Sequence, residues 1–327
     1  FEYFPGIPIY HSTDLTHWEQ IGHVLDRKNQ LKLVSGAPNC LGIYAPTIRY
    51  HEGIFYCIVT NVGGRSGGNF FVYTTDPYGR WSNPVKIPFA GIDPSLFFDE
   101  DGRIYYTGTD TGIYIAEITF DVVRNDTPKR NELPVSIQNV KCGEKHYIWN
   151  GSGGNNPEGP HLYRIHDMYY LMIAEGGTEY CHMVTIARSK NVYGPYEACP
   201  HNPVLSNRST CLNIKAIGHA DLVEDSQGSW WAVCLGIRPL GYPFRHNLGR
   251  ETMLAPVKWE NGWPVMGDNG TVTETFEVET APGKKTRKSD FYIPGSNMTD
   301  TFCSNKLHPS WNTIYTPVSK FVKPTRQ

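Results

Sequence analysis

Four positions in this chain stand nine residues ahead of the turn residue that opens an aromatic-rich β run: Tyr44 before Gly53, Asp93 before Gly102, Glu158 before Asp167 and His219 before Gly228. The runs cover residues 54–60, 103–109, 168–174 and 229–235, and a further strand pattern follows each, at 69–75, 112–118, 182–188 and 251–257. Repeats of this length made only of short strands predict the blades of a β-propeller. The first strand of each blade lines the central channel, so an equal offset in every repeat aims Tyr44, Asp93, Glu158 and His219 at one axial point. Two carboxylates, an imidazole and an aromatic ring converging in a channel predict an enzyme pocket.

Helical periodicity is absent, and β runs alternate with Gly, Pro, Asn and Asp turns throughout. A second signature closes several blades: Ser12-Thr-Asp-Leu-Thr-His-Trp18, Thr75-Asp-Pro-Tyr-Gly-Arg-Trp81 and the segment from Arg188 to Tyr196. Each reads as an outer strand, a tight turn and an aromatic packed under the blade edge. The Ser12–Trp18 copy has one strand ahead of it, over residues 7–11, and no counterpart of the two inner strands. The expected fold is therefore all-β, a five-bladed β-propeller with an incomplete first blade over residues 1–280. A polar, basic linker follows over 281–297. The segment 298–327, containing Asp300-Thr-Phe and Trp311, is expected to begin a C-terminal β-sandwich.

Composition narrows the partners. The formal net charge is -2 and no basic stretch alternates with aromatics, which argues against nucleic acid. No apolar run approaches the roughly 18–20 residues of a membrane helix. The 20 tyrosines and 8 tryptophans suit both blade packing and sugar stacking. Eight cysteines show no C-x-x-C spacing, so no zinc site is expected. Cys57 and Cys234 fall in apolar strands and read as buried thiols, whereas Cys199 and Cys211 flank a polar loop and are a disulfide candidate in an oxidising compartment. Sequons at Asn125, Asn150, Asn207, Asn269 and Asn297 lean the expectation toward secretion.

The segments Phe1-Glu-Tyr-Phe-Pro-Gly-Ile-Pro-Ile-Tyr-His-Ser12, Gly91-Ile-Asp93-Pro-Ser, Pro157-Glu158-Gly-Pro-His and Gly218-His219-Ala-Asp resemble those of glycoside hydrolase family 43. The nearest resemblance is to its β-xylosidase branch, some members of which also cleave α-L-arabinofuranosides. Ala174-Glu-Gly-Gly-Thr178 and Leu248-Gly-Arg-Glu-Thr252 strengthen the match, which covers roughly residues 1–275. The resemblance implies an inverting mechanism: Glu158 matches the general acid, and Asp93 the carboxylate that orients the sugar and tunes that acid. The family's general base is an Asp in the first inner strand of blade one, for which no residue here is nominated. Phe1, Tyr44, Thr178, His219 and Arg238 would line the sugar pocket, with Arg238 forking onto hydroxyls. Some family members hold a calcium ion on the propeller axis through the histidine that His219 matches and through waters; no cofactor is otherwise expected.

Blander readings stand beside these. Asp93 in an Asp-Pro-Ser turn is a cap unless its repeat offset is counted. His219 reads as a core imidazole or as one that faces sugar or calcium, and Tyr44 as pocket wall or blade packing. Gly63-Gly-Arg-Ser-Gly-Gly68 lacks the Lys-Ser/Thr of a phosphate loop. Ser66, Ser95 and Ser152 have no triad ordering, and Asp99-Glu-Asp-Gly102 fits a hairpin turn better than a calcium loop. Two functions follow: an exo-acting glycosidase releasing xylose or arabinose from xylan-derived oligosaccharides, or a catalytically silent, sugar-binding propeller.

Overall fold

The computed structural model describes residues 2–35, 38, 40–63, 67–129, 131–276, 279–281, 284–285, 307–317, 320 and 322. No α-helix occurs among them. A short β1 (Tyr3–Phe4) precedes a hairpin of β2 (Gly6–His11) and β3 (Glu19–Leu25). The next sheet holds β4 (Gly42–Ile43), β5 (Thr47–His51), β6 (Ile54–Val62), β7 (Gly68–Thr74) and β8 (Val85–Ile87), with β4 and β5 both paired to β6. A second sheet holds β9 (Ile92–Phe98), β10 (Ile104–Thr109), β11 (Ile113–Arg124), β12 (Val135–Cys142) and β13 (His146–Trp149). The third runs β14 (Glu158–Ile165), β15 (Met168–Glu175), β16 (Met183–Ser189) and β17 (Glu197–Ala198). The fourth runs β18 (Lys215–Glu224), β19 (Trp230–Ile237), β20 (Glu251–Glu260) and β21 (Trp263–Met266). Two short strands, β22 (Glu279–Ala281) and β23 (Lys284–Lys285), pair with each other, and β24 (Thr313–Ile314) pairs with β1.

The β14–β17 and β18–β21 sheets are antiparallel meanders in sequence order, the form of a propeller blade; the other two are built on such meanders with β5 and β13 off the path, beside β6 and β11. The strand runs anticipated from sequence coincide with β6 and β7, β10 and β11, β15 and β16, and β19 and β20. These middle strands are buried on both faces, which is why they read as unbroken apolar and aromatic runs rather than as period-two alternation.

The chain divides into two compact units. The first comprises Phe1–Pro94, Ile118–Cys142 and Tyr292–Gln327. Its core packs the hairpin onto the first large sheet through Phe4, Val24, Leu25, Val59, Phe70 and Trp81. Gln30 and Arg27 lock that packing by donating to the backbone carbonyls of Trp81 and Ser82. The second unit comprises Ser95–Glu117 and Gly143–Phe291. Its larger core joins the β14–β17 and β18–β21 blades through Met172, Ile186, Leu205, Ile217, Ala232 and Met266. Tyr163 ties the same two blades by polar contacts, donating to Asp221 at 2.7 Å and accepting from the Leu222 N–H at 2.9 Å.

The strand expected ahead of the Ser12–Trp18 signature is β2, and β3 follows the signature to complete the hairpin. Most of the expected linker and C-terminal module, and Phe1, lie outside the described residues.

Candidate active site

Glu158 is the first residue of β14 and pairs with Ala174 across β15. The register between these strands shifts over Glu158–His161. Such a bulge re-aims the side chain beside it. Gly159 takes the left-handed backbone the bulge needs, at φ 61°.

Five hydrogen bonds brace this turn. Thr107 and Thr109 lie two residues apart on β10 and so share one face. Their hydroxyls donate to the carbonyls of Pro160 and Pro157, each at 2.9 Å, and so bracket Glu158 from both sides. From below, Glu175 at the end of β15 is fully buried, and its carboxylate accepts the backbone N–H groups of Ser152 and of Gly154, the latter at 3.1 Å. The Gly176 N–H donates to the Asn155 carbonyl at 2.7 Å. Glu175, in Ala174-Glu-Gly-Gly-Thr178, thus moors the loop that delivers Glu158, a role the sequence did not expose.

Two imidazoles join the acid. A ligand atom each of Glu158, His182 and His219 falls within 4.8 Å of the others. His219 lies in β18, where the register also shifts between Gly218 and Asp221. Its own backbone carries the left-handed conformation, φ 52°. A Cβ on Gly159 would stand 2.6 Å from His219 Nε2, and one on Gly218 would run into the His182 ring. Each imidazole is therefore seated against a glycine of the opposite blade.

His182 is 1 % exposed, with Nδ1 3.2 Å from the Ala216 carbonyl oxygen. Burial, reinforced by His219, pulls its pKa down to about 4. Its Nε2 has no hydrogen-bond partner among the described residues. Two ring nitrogens and one carboxylate are not the donor set calcium prefers, since that ion takes about six to eight oxygens.

Thr178 accepts a hydrogen bond at 2.9 Å from Arg250, the residue just ahead of β20, and Arg250 also acts electrostatically on His182. Arg238 is engaged elsewhere: Nε and Nη2 donate to the Glu251 carboxylate at 3.0 and 2.6 Å. That bidentate pair raises the guanidinium's already high pKa. The second unit thus brings together Glu158, His219 and Thr178, and adds His182, Glu175 and Arg250, which sequence reasoning missed. The Leu248-Gly-Arg-Glu-Thr252 motif was the available signal for Arg250.

Asp93 and Tyr44 belong to the first unit. Asp93, in β9, is 6 % exposed and left-handed at φ 54°. Tyr44 follows β4, with its N–H bonded to the Thr60 carbonyl at 2.9 Å. A left-handed non-glycine is uncommon and clusters at functional sites. Asp93 and His219, matched by offset alone, share it.

Two sequence expectations are corrected. Cys199 and Cys211 are both free thiols, the first buried and the second exposed, so the loop between them is not closed by a disulfide. The Asn207 sequon is also unavailable in the fold. Its side chain is fully buried, donating to the Ile214 and Val272 carbonyls and accepting from the Val272 N–H. Cys57 and Cys234 are buried as expected, and burial pushes both thiols up to about 12.

Consecutive antiparallel meanders carrying a braced carboxyl at the head of an inner strand place the chain among the β-propellers. It belongs to the glycosyl hydrolases of family 43, whose pattern it matches over residues 1–264. It is 43% identical over 334 residues to the non-reducing end α-L-arabinofuranosidase BoGH43B of Bacteroides ovatus, covering 99% of this chain and 60% of that protein. It is 44% identical over 289 residues to a xylosidase/arabinosidase of Butyrivibrio fibrisolvens, covering 85% of this chain and 53% of that one. A solved structure, the Bacteroides ovatus xyloglucan PUL GH43B, superposes with TM-score 0.82 at 40% identity, over 100% of this chain and 61% of its own. The chain thus spans 53–61% of the length of these relatives.

Proposed function

We propose that this chain forms the catalytic propeller of an exo-acting, inverting glycosidase that releases xylose or arabinose from xylan-derived oligosaccharides. The observation that carries the proposal is the bracing of Glu158. Two threonines and a buried glutamate fix the backbone around one carboxyl and leave its side chain beside two imidazoles. Nothing in a silent, sugar-binding propeller calls for that investment, and relatives named as a xylosidase and an arabinofuranosidase support the catalytic reading.

In this reading Glu158 protonates the departing glycosidic oxygen, and Asp93 orients the sugar. Inversion needs a second carboxylate across a water, about 6.5–9.5 Å from the acid. Thr178, His219 and Arg250 wall the pocket. Arg238 reaches sugar only by leaving Glu251. Tyr44 and Phe1 keep the pocket-lining roles the resemblance assigns them. The β2–β3 hairpin belongs to a fifth blade, and the segment 298–327, which lies partly outside the described residues, begins a C-terminal β-sandwich. We further propose a secreted enzyme, with the exposed sequons at Asn125, Asn150 and Asn269 as its candidates; the Asn297 sequon lies outside the described residues.

Glu158→Ala is the test. Xylobiose hydrolysis is expected to vanish, while an aryl β-xyloside with an acidic phenol is partly spared, because a good leaving group needs little protonation in the transition state. Equal losses on both substrates overturn the general-acid role. Proton NMR of the first product from a β-xyloside should show α-xylose, and early β-xylose would exclude inversion.

A further inference from the structure

We propose that the connection between β19 and β20, residues 238–250, is a sugar-binding platform at the mouth of the pocket, where the ring of Tyr242 stacks on a pentopyranose beyond the bond being cleaved. The inference rests on the exo-glycosidase reading and adds to it a site for the part of the substrate that stays outside the pocket.

Position comes first. The connections that follow β10 and β15 run over 110–112 and 176–182, so 238–250 is the longest of its kind in the second unit. Ala174 pairs with Glu158, and 176–182 therefore emerges from β15 at the acid's end of the blade. Arg250 donates to Thr178 at 2.9 Å, and the Tyr180 hydroxyl to the Phe244 carbonyl at 3.4 Å. Both connections thus stand at that end. An exo-acting enzyme keeps one terminal sugar in its pocket, so the rest of the oligosaccharide must pass over this rim.

The long connection is also firmly built. Arg238 and Glu251 clamp its base with two hydrogen bonds. Leu240 and Arg245 pair across a tight hairpin, the Leu240 N–H donating to the Arg245 carbonyl at 2.7 Å. The Tyr180 ring backs Phe244 at 4.9 Å, and Phe244 stands 5.9 Å from Tyr242 at 80°. That near-perpendicular pair orients the Tyr242 ring without covering it. Tyr242 is 91 % exposed and Leu240 76 %, the two most exposed large apolar side chains among the described residues. Apolar surface concentrated on one ordered loop beside a pocket marks a binding site.

The chemistry selects a sugar. A pentopyranose packs its C–H face on an aromatic ring and turns its hydroxyls outward to polar groups, and tyrosine offers both an apolar body and a polar tip. Cationic N–H donors fringe the rings: Lys215 Nζ lies 5.6 Å from the Phe244 ring centre, and Arg245 is exposed at the foot of the hairpin. An aromatic face edged with such donors suits an uncharged polyhydroxyl chain. Through Tyr180 and the Arg250–Thr178 bond, the platform runs unbroken into the pocket wall.

The test is how kcat/KM depends on substrate length, measured on xylo-oligosaccharides from xylobiose to xylotetraose, plain and arabinose-decorated. Tyr242→Ala should lose about three- to tenfold on the longest, through KM, and progressively less on the shorter ones, since one stacked ring is removed. Tyr242→Phe keeps the ring and should keep the wild-type profile. Tyr50→Ala removes a side chain that is 64 % exposed on β5 of the first unit and should change nothing. The proposal is overturned if Tyr242→Ala leaves the profile unchanged or lowers every length in the same proportion, or if Phe is as poor as Ala. A smaller species in sedimentation of Tyr242→Ala, with an unchanged profile, would assign the surface to a second copy of this chain and overturn it too.

Calorimetry in the Glu158→Ala background separates the two layers. There Tyr242→Ala should weaken binding of xylotetraose and spare that of xylose. If the wild type cleaves none of the series and this difference still appears, the glycosidase reading fails and the platform stands. If the wild type cleaves and the difference is absent, only the platform fails. If cleavage and difference are both absent, both readings fall.

Discussion

The β14–β17 and β18–β21 blades meet the same geometric demand in opposite ways. Both interrupt their inner-strand register at the residue that faces the site, over Glu158–His161 in one and Gly218–Asp221 in the other. In the first blade a glycine next to the functional residue takes the left-handed backbone, so Glu158 itself is unstrained. In the second, His219 bears that conformation. A left-handed non-glycine costs on the order of 1–3 kcal/mol, and the surrounding packing must offset it. The backbone around the acid is held instead by hydrogen bonds that Thr107 and Thr109 donate and that the Glu175 carboxylate accepts. In the proposed reading, the residue that has to change protonation state sits on relaxed backbone with braces around it, whereas the wall residue bears local strain.

The most damaging way to break this contrast is Gly159→Ala. The new methyl would combine a left-handed φ of 61° with a position 2.6 Å from His219 Nε2, so both blades lose their arrangement at once. Turnover of xylobiose should fall by on the order of 10²-fold or more, as expected when catalytic geometry is displaced by about 1 Å. Thermal melts should show a loss of about 1–3 kcal/mol. His219→Gly, by contrast, relieves strain at its position and should recover part of the stability its lost contacts cost. An unchanged Gly159→Ala enzyme would mean that the bulge does not set the site.

Acid tests the buried ring between the blades. His182 binds a proton at about 4 when folded and at the ordinary 6.5 when unfolded. Between those values the unfolded chain holds more protons, so stability is complete above pH 6.5 and declines as pH falls toward 4. The linkage amounts to on the order of 3 kcal/mol. Urea titrations at pH 7 and pH 4.5 should show that decline in the wild type and a smaller one in His182→Asn.

Thr109→Val removes one brace at nearly constant shape. It leaves the Pro157 carbonyl without its donor and should cost about 1–2 kcal/mol. Turnover on xylobiose should drop more than turnover on an activated aryl xyloside. Thr107→Val should behave alike. If neither variant distinguishes the substrates, the braces serve folding alone.

Much of this was legible in the chain. The nine-residue offset located Glu158 and His219 because a propeller repeats its inner strand and turn at nearly fixed length, and the strand runs were unmistakable because they are buried on both faces. The same offset picks out Asp93, whose backbone is left-handed like that of His219. His182 and Glu175 escaped because they sit at the ends of second and third strands, where the repeat carries no common residue type. Arg238 entered through the family resemblance. What no single sequence displays is that Glu251, thirteen residues on, occupies both forks of its guanidinium. The Cys199–Cys211 pairing failed for a related reason: flanking a loop says nothing about which way two side chains point.

The buried side chain of Asn207 bears on how the protein can be manufactured. It stitches Ile214 and Val272 together from inside the fourth blade, yet Asn207-Arg-Ser209 spells an acceptor for oligosaccharide. Sugar-attaching enzymes of a eukaryotic secretory route act while a chain is still unfolded. A glycan placed there would arrive before the blade closed and would bar it from closing, since a bulky polar group cannot enter a filled interior. Bacterial production avoids that hazard. In yeast, the yield of active protein becomes a race between folding and sugar transfer at one asparagine, which Ser209→Ala would settle in favour of folding.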